Sequence, residues 1–382
     1  MKWLNIHHKR YGKFTSESVS SGHPDKICDQ IADNILDHAL KANPDSRVAC
    51  EVVASNRLIL IGGEVTTTGY IDVVKCAWDV LMPLGYKEDD FTIISNIHSQ
   101  SSEIAKSVNI ASDKIGAGDQ GITIGYAVRE TDELIPLGTM LAHELLIQAE
   151  LLRLSGNFPE LKSDMKSQVT LEYQGNNVRV NEVLISAQHA PNTNMYMFRN
   201  RINNEVIIPI LLKRGLMDSR IGCLINPSGS FVVGGPIGDT GLTGRKLMVD
   251  TYGNYAHHGG GAFSGKDYTK VDRTGAYYAR WIAKHIVSLD WATECEVRIA
   301  WSIGMPRPLN IEVECFGTNK IPLDKIRHSV LAVFNHELSE IIKLFNMKRM
   351  SYKPLATYGH FGRNYGKWED LPLLLNLLHS QM

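Results

Sequence analysis

The residues best suited to chemistry fall into glycine-rich and charged clusters. Gly259-Gly260-Gly261-Ala262-Phe263-Ser264-Gly265-Lys266-Asp267 carries, from Gly260, the spacing G-x-x-x-x-G-K. Glycines let backbone N–H groups approach phosphate oxygens, and a lysine neutralises charge there. A Walker-type loop next requires Ser or Thr to hold Mg2+, and this chain has Asp267. Phosphate binding is therefore expected and a true P-loop fold is disfavoured. Arg245, Lys246, Lys266 and Lys270 gather in the glycine-rich run 234–275. Four cations in such loops suit a polyanion such as a triphosphate. Asp25 and Asp272 are candidate Mg2+ ligands, because a magnesium–phosphate site takes one or two carboxylates and leaves the rest to phosphate and water. The competing reading, solvated loop charges, stays open from composition alone.

Ser21-Gly22-His23-Pro24-Asp25-Lys26 puts His23 at a helix N-cap. The helix dipole disfavours a cationic imidazole there, so His23 is expected to be a neutral hydrogen-bond donor, with a purely structural histidine as the alternative. Gly116-Ala117-Gly118-Asp119-Gln120-Gly121 has dinucleotide-fold spacing, but a loop precedes it and a strand-like run follows. That context excludes the Rossmann reading and leaves a tight turn with Asp119 as a polar contact. His257 and His258 are adjacent and diverge on any regular element, so no two-histidine metal site is expected.

The elements that must position these residues alternate short β-rich runs with amphipathic helices. A helix starts at Pro24, suited to a first helical position, and stops at Asn43-Pro44. Strands are expected over 47–54 and 58–65, bent by Gly62-Gly63, then a helix over 70–82 and a strand over 91–97. Residues 99–119 read as a lid or binding loop. A strand over 121–128, a helix over 137–154, strands over 168–173 and 178–186 and a helix over 202–214 follow. The last third gives a strand over 247–250, a helix over 274–289, strands over 294–302 and 311–316 and a helix over 323–334. Three similar rounds predict an α+β architecture of three related units, divided at 12–112, 113–233 and 234–382. Adjacent strands without a helix between them argue against a doubly wound parallel sheet.

Composition bounds the class. The 382 residues are 43% hydrophobic and 21% charged, which suits a large buried core. Lys plus Arg number 40 against 41 Asp plus Glu, so nothing marks a nucleic-acid or acidic-membrane partner. No apolar run is long enough for a membrane helix and no secretory signal opens the chain, so a cytoplasmic location is expected. The six cysteines, at 28, 50, 76, 223, 295 and 315, form no Cys-x-x-Cys pair and are expected to be buried and reduced.

Six segments resemble the S-adenosylmethionine synthetase family: 14–26, 116–121, 164–170, 234–239, 259–267 and the run Tyr358-Gly359-His360-Phe361-Gly362-Arg363. They occur in order from Phe14 to Trp368. The resemblance implies joining of ATP and L-methionine, with sulfur attacking the ribose C5′, release of triphosphate, and its hydrolysis to diphosphate and phosphate. It implies His23 beside the departing O5′, Asp25 and Asp272 on Mg2+ (two ions per site), and Glu51 on K+. Asp164, Lys166, Ser230, Phe231 and Asp239 become ATP contacts, with Phe231 flanking adenine. Arg245, Lys246, Ala262 and Lys266 become phosphate-site positions. Glu64, Gln100, Asp119, Asp239 and Lys270 become methionine-site residues, Lys270 at the junction with phosphate. The implied fold is three pseudo-repeated α+β units, and the implied assembly is a homodimer sharing active sites, paired into a homotetramer. Bacterial members usually read Lys-Gln-Ser-Pro-Asp-Ile in the lid; this chain reads Ser99-Gln100-Ser101-Ser102-Glu103-Ile104 and loses a restraining proline. The segment 1–13 is expected to be irregular.

Overall fold

The first helix shows how the sequence builds this molecule. In α1 (Pro24–Ala42) Pro24 opens the first turn and the His23 ring accepts the Asp25 N–H. Ile27, Ile31 and Ile35 then recur on one fully buried stripe. The structure, a computed structural model, describes residues 2–99 and 114–371.

Three sheets organise the described residues. β2 (Arg47–Ser55) and β3 (Leu58–Thr66) form a hairpin about Asn56-Arg57, with Asn56 at a φ of 51°. β4 (Thr92–His98) joins β3 in parallel and β8 (Gly241–Leu242) joins β2 antiparallel, giving the order β4-β3-β2-β8. β1 (Leu4–Val19), β6 (Leu161–His189) and β7 (Gly222–Ile225) form a second sheet. β10 (Asn310–Glu314), β9 (Glu294–Trp301) and β5 (Gly121–Val128) form a third. Each sheet carries one long helix: α1 on β2, α3 (Leu137–Leu154) on β6, and α7 (Val271–Ser288) on β5. Two mixed sheets and one antiparallel sheet, each with a helix packed on it, make the fold α+β. Each sheet also recruits a strand from a distant stretch of chain, β8 with β2, β1 with β6 and β5 with β9. That interleaving carries the 239–246 loop onto the start of α1.

The remaining helices are α2 (Val73–Leu81), α4 (Met195–Arg201), α5 (Ile208–Lys213), α6 (Leu247–Asp250), α8 (Leu323–Val333) and α9 (Leu338–Leu344). Five expectations need correction. The segment 1–13 is not irregular: from Leu4 it belongs to β1, with Ile6 and His8 turned inward and His7 and Lys9 outward. Its inward positions are filled partly by a histidine, so apolar alternation is hidden. The strand expected over 247–250 is the short helix α6. The two strands expected between 168 and 186 are one, β6, continuous through Gly175. The helix expected from Ile202 begins at Met195, capped by Asn194, and passes through a π-helical turn over Ile202–Ile207. Five cysteines are buried as expected, but Cys223, on β7, is exposed.

Candidate active site

Two helix N-termini anchor the site. At the start of α1, His23 is buried, and its Nδ1 accepts the Asp25 N–H at 3.2 Å. That bond leaves the ring hydrogen on Nε2. Burial, and then the charge of Lys246, push the ring pKa down to about 3, so His23 is a neutral donor, as its N-cap position predicts.

Asp25 meets a loop of opposite charge. Its Oδ1 accepts the Leu242 N–H at 2.9 Å, and its Oδ2 lies 2.6 Å from the Lys246 ammonium. Arg245 stands 3.7 Å from Oδ1 and donates to the Thr240 carbonyl at 3.0 Å. Burial works against the Asp25 carboxylate, but the Lys246 and Leu242 hydrogen bonds outweigh it and hold the carboxyl below its ordinary range.

The second N-terminus repeats the arrangement. Asp272, in the first turn of α7, accepts from Lys266 Nζ at 2.6 Å. Gly261 backs directly onto the Asp272 carboxylate. Lys266 arrives there because Gly265 turns the chain at a φ of 78°, donates its N–H to Asp33 at 2.9 Å, and gives its carbonyl to the Cys50 N–H. A side chain on Gly265 would collide with the Cys50 carbonyl. Asp267 faces inward, accepting from Val48 N–H at 2.7 Å, from both donors of Thr269 and from Lys270 Nζ at 2.6 Å. The residue that stands where a Walker loop has Ser or Thr is thus a structural anchor. The two cationic loops meet, since Gly244 leaves no room for a Cβ against Ala262.

Other expected site residues surround this core. Asp164, on β6, accepts the Gly235 N–H at 2.8 Å through Oδ2, while its buried Oδ1 has no partner among the described residues. Burial pushes its carboxyl up to about 6. Lys166, two residues along β6, is exposed, and its charge acts on His23. Phe231 is pinned twice by His189: its N–H donates to Nε2 and its carbonyl accepts the His189 N–H, each at 2.9 Å. Ser230 and Asp239 lie exposed on the flanking loops. Asp119 caps its own turn by accepting from Gln120 N–H, and neighbouring Gly118 donates to the Thr269 carbonyl at 2.9 Å, beside Lys270. Glu64, on β3, lies opposite Ala49, which bridges to Lys266 on its other side; Glu64 also pairs with His98 at 3.2 Å. Glu51 is exposed on β2 with no ligand partner assembled around it among the described residues. Gln100 lies outside the described residues, as do all but Ser99 of the lid sequence Ser99–Ile104.

Sequence reasoning missed the supports beneath these side chains. Lys26 is fully buried between Asp29, at 3.0 Å, and Asp250. Arg273 is fully buried in a two-pronged pair with Asp33, at 2.8 and 2.7 Å. The visible signal was aspartate at every fourth residue of α1: Asp25, Asp29, Asp33 and Asp37. The donor chemistry fits metal ions that arrive with phosphate. Among the described residues no three His, Cys, Asp or Glu side chains form a ready cage, and Asp25 and Asp272 are lone hard-oxygen donors beside cationic loops.

Profiles of three domain families match end to end. The S-adenosylmethionine synthetase N-terminal domain matches residues 12–112, the central domain 114–231 and the C-terminal domain 233–370. The chain belongs to the S-adenosylmethionine synthetase family. It is 54% identical to the S-adenosylmethionine synthase of Mycoplasma pneumoniae, over 96% of this chain and 95% of that one. It is 55% identical to that of Mycoplasma genitalium, over 96% of each, and 46% identical to that of Treponema denticola, over 93% of this chain and 95% of the relative. The chain is accordingly an enzyme of the methionine adenosyltransferase class, a transferase of S-adenosylmethionine biosynthesis in a metal-using family. Among the described residues, no helix is long and apolar enough to cross a membrane.

Proposed function

We propose that this synthetase forms S-adenosylmethionine by attack of the methionine sulfur on the ribose C5′, expelling the whole triphosphate, which it then hydrolyses to diphosphate and phosphate. The observation that carries this reading is the pair of acid–cation contacts at the two helix N-termini, Asp25 with Lys246 and Asp272 with Lys266. A thioether is a weak neutral nucleophile, so positioning supplies much of the rate. The leaving group carries about four negative charges, which preorganised cations must receive. Arg245, Lys246 and Lys266 supply them, with Lys166 alongside His23. His23 is suited to donate a hydrogen bond from its neutral Nε2–H to the departing O5′, keeping its proton throughout.

In this reading Asp25 and Asp272 hold Mg2+, two ions per site, which neutralises polyphosphate charge when bound. Glu51 holds K+. Asp164, Ser230, Phe231, Asp239 and Ala262 line the nucleotide, with Phe231 against adenine. Glu64, Gln100, Asp119, Asp239 and Lys270 surround methionine. The active unit is a homodimer sharing its sites, paired into a homotetramer, and it works in the cytoplasm on three units bounded at 12–112, 113–233 and 234–382. Incubation with ATP, methionine, Mg2+ and K+ yields S-adenosylmethionine, diphosphate and phosphate. Release of ADP would instead indicate a phosphotransferase.

A further inference from the structure

Helix α1 carries aspartate at positions 25, 29, 33 and 37. A four-residue step advances a helix by little more than one turn, so these carboxylates share one face. Like charges at that spacing destabilise a helix on its own. Their use therefore lies in what they hold. Each accepts a backbone N–H from elsewhere in the chain: Asp25 from Leu242, Asp29 from Gly244 and Asp33 from Gly265, all at 2.9 Å. Asp37 accepts from Tyr352 at 2.6 Å and Lys353 at 3.1 Å. Each of the middle two also has a buried cation: Lys26 for Asp29 and Arg273 for Asp33.

We infer that Asp29 and Asp33 are positioning residues that hold the two phosphate loops in register on a single rigid helix. Gly244 immediately precedes Arg245 and Lys246, and Gly265 immediately precedes Lys266. One carboxylate thus fixes the backbone beside each cation cluster, without reaching the reactants itself. Both are fully buried, so neither is available to a ligand. The helix that presents His23 and Asp25 at its N-terminus sets the placement of the opposing cations through its second and third turns. The distance between the two charged walls of the site is therefore a property of one element, not of two loops moving separately. This inference rests on the function proposed above for what the loops bind.

Asp29 gives the cleaner test, because Lys26 keeps Asp250 when Asp29 is changed. Asp29→Asn retains an oxygen acceptor for Gly244 and removes the charge; Asp29→Leu and Asp29→Ser remove an acceptor at that reach. Amide hydrogen exchange of the peptide over 239–247, read by mass spectrometry in the full-length protein without ligands, reports the loop directly. The Leu and Ser variants are expected to exchange faster there with the α3 peptide unchanged, and the Asn variant to match the parent. In the synthesis assay, kcat/KM for ATP falls on the order of 30-fold in Leu and Ser and by less than about 5-fold in Asn, with KM for methionine little altered. Parent-like loop exchange in both Leu and Ser would overturn the inference. So would an Asn variant as impaired as either. If Leu and Ser fail to fold, the Asn variant decides, since loop exchange as fast as in an unfolded peptide would refute an acceptor role. A parent protein that makes no S-adenosylmethionine would defeat the proposed function and leave the exchange result standing.

Discussion

The Lys246 ammonium lies 2.6 Å from Oδ2 of Asp25, and Lys266 stands in the same relation to Asp272. Both carboxylates sit in the first turn of a long helix and both lysines come from glycine-rich loops. Each pair holds its cation against a helix N-terminus at hydrogen-bond distance. Lys246→Met removes one of these cations while Asp25 keeps the Leu242 N–H and Arg245. The loss in kcat/KM for ATP is expected to be on the order of 100-fold, the range for removing one group that stabilises developing charge. Steady-state kinetics checks it, and a change in KM for methionine alone would contradict it.

His23→Asn separates the donor role from the capping role. Asparagine is a good N-cap, so α1 keeps its start. The ring donor at Nε2 is lost, because the shorter amide cannot reach the same point. Adenosyl transfer is expected to drop by about 100-fold or more while the thermal midpoint stays within a few degrees. Near-normal turnover would refute the role.

Lys166 projects from β6 into solvent. Lys166→Met therefore leaves packing alone, and its expected cost in stability is below about 0.5 kcal/mol. Its cost in transfer rate is expected to be large, since the charge that bears on His23 disappears. Chemical denaturation and a rate assay on the same sample test both halves.

His143 supplies a pH prediction. It is buried on α3, hydrogen-bonded through Nδ1 to Ser18 at 2.8 Å, and burial pushes its pKa down to about 3. The unfolded chain takes up a proton near pH 6.5 that the native ring refuses. Stability contributed by the neutral ring is complete above about pH 6.5 and declines as pH falls toward 3. Replacing it by glutamine is expected to flatten the fall in unfolding free energy between pH 6.5 and about 4.5 by at most about 1.4 kcal/mol per pH unit. Denaturant titrations at three pH values give the slopes; parallel slopes for parent and variant would contradict this.

Much of the fold was legible because its signals are local. Pro24 with buried Ile27, Ile31 and Ile35 marks α1, and the Leu137–Leu154 helix has the bounds its periodicity predicts. What stayed hidden depends on partners far away in sequence. β1 hides its alternation behind inward His8, whose Nε2 meets Glu294 at 3.3 Å. Four residues at 247–250 cannot declare a helical period, and α6 is set by contacts around them. At the site, residue types that carry charge in glycine loops were readable, as was the neutral state of His23. The buried Lys26 and Arg273 pairs were not, since burial of a charge is decided by tertiary packing rather than by the residue itself. The inward turn of Asp267 belongs to the same class.

Expulsion of the whole triphosphate from the ribose, rather than movement of one phosphoryl group, is the step on which the proposed function stands. A quenched single turnover with γ-labelled ATP, methionine and Mg2+ follows the label directly. Label is expected first in enzyme-bound tripolyphosphate, with S-adenosylmethionine formed in equal amount, and only then in phosphate and diphosphate. Label passing to phosphate or methionine while ADP accumulates would contradict it.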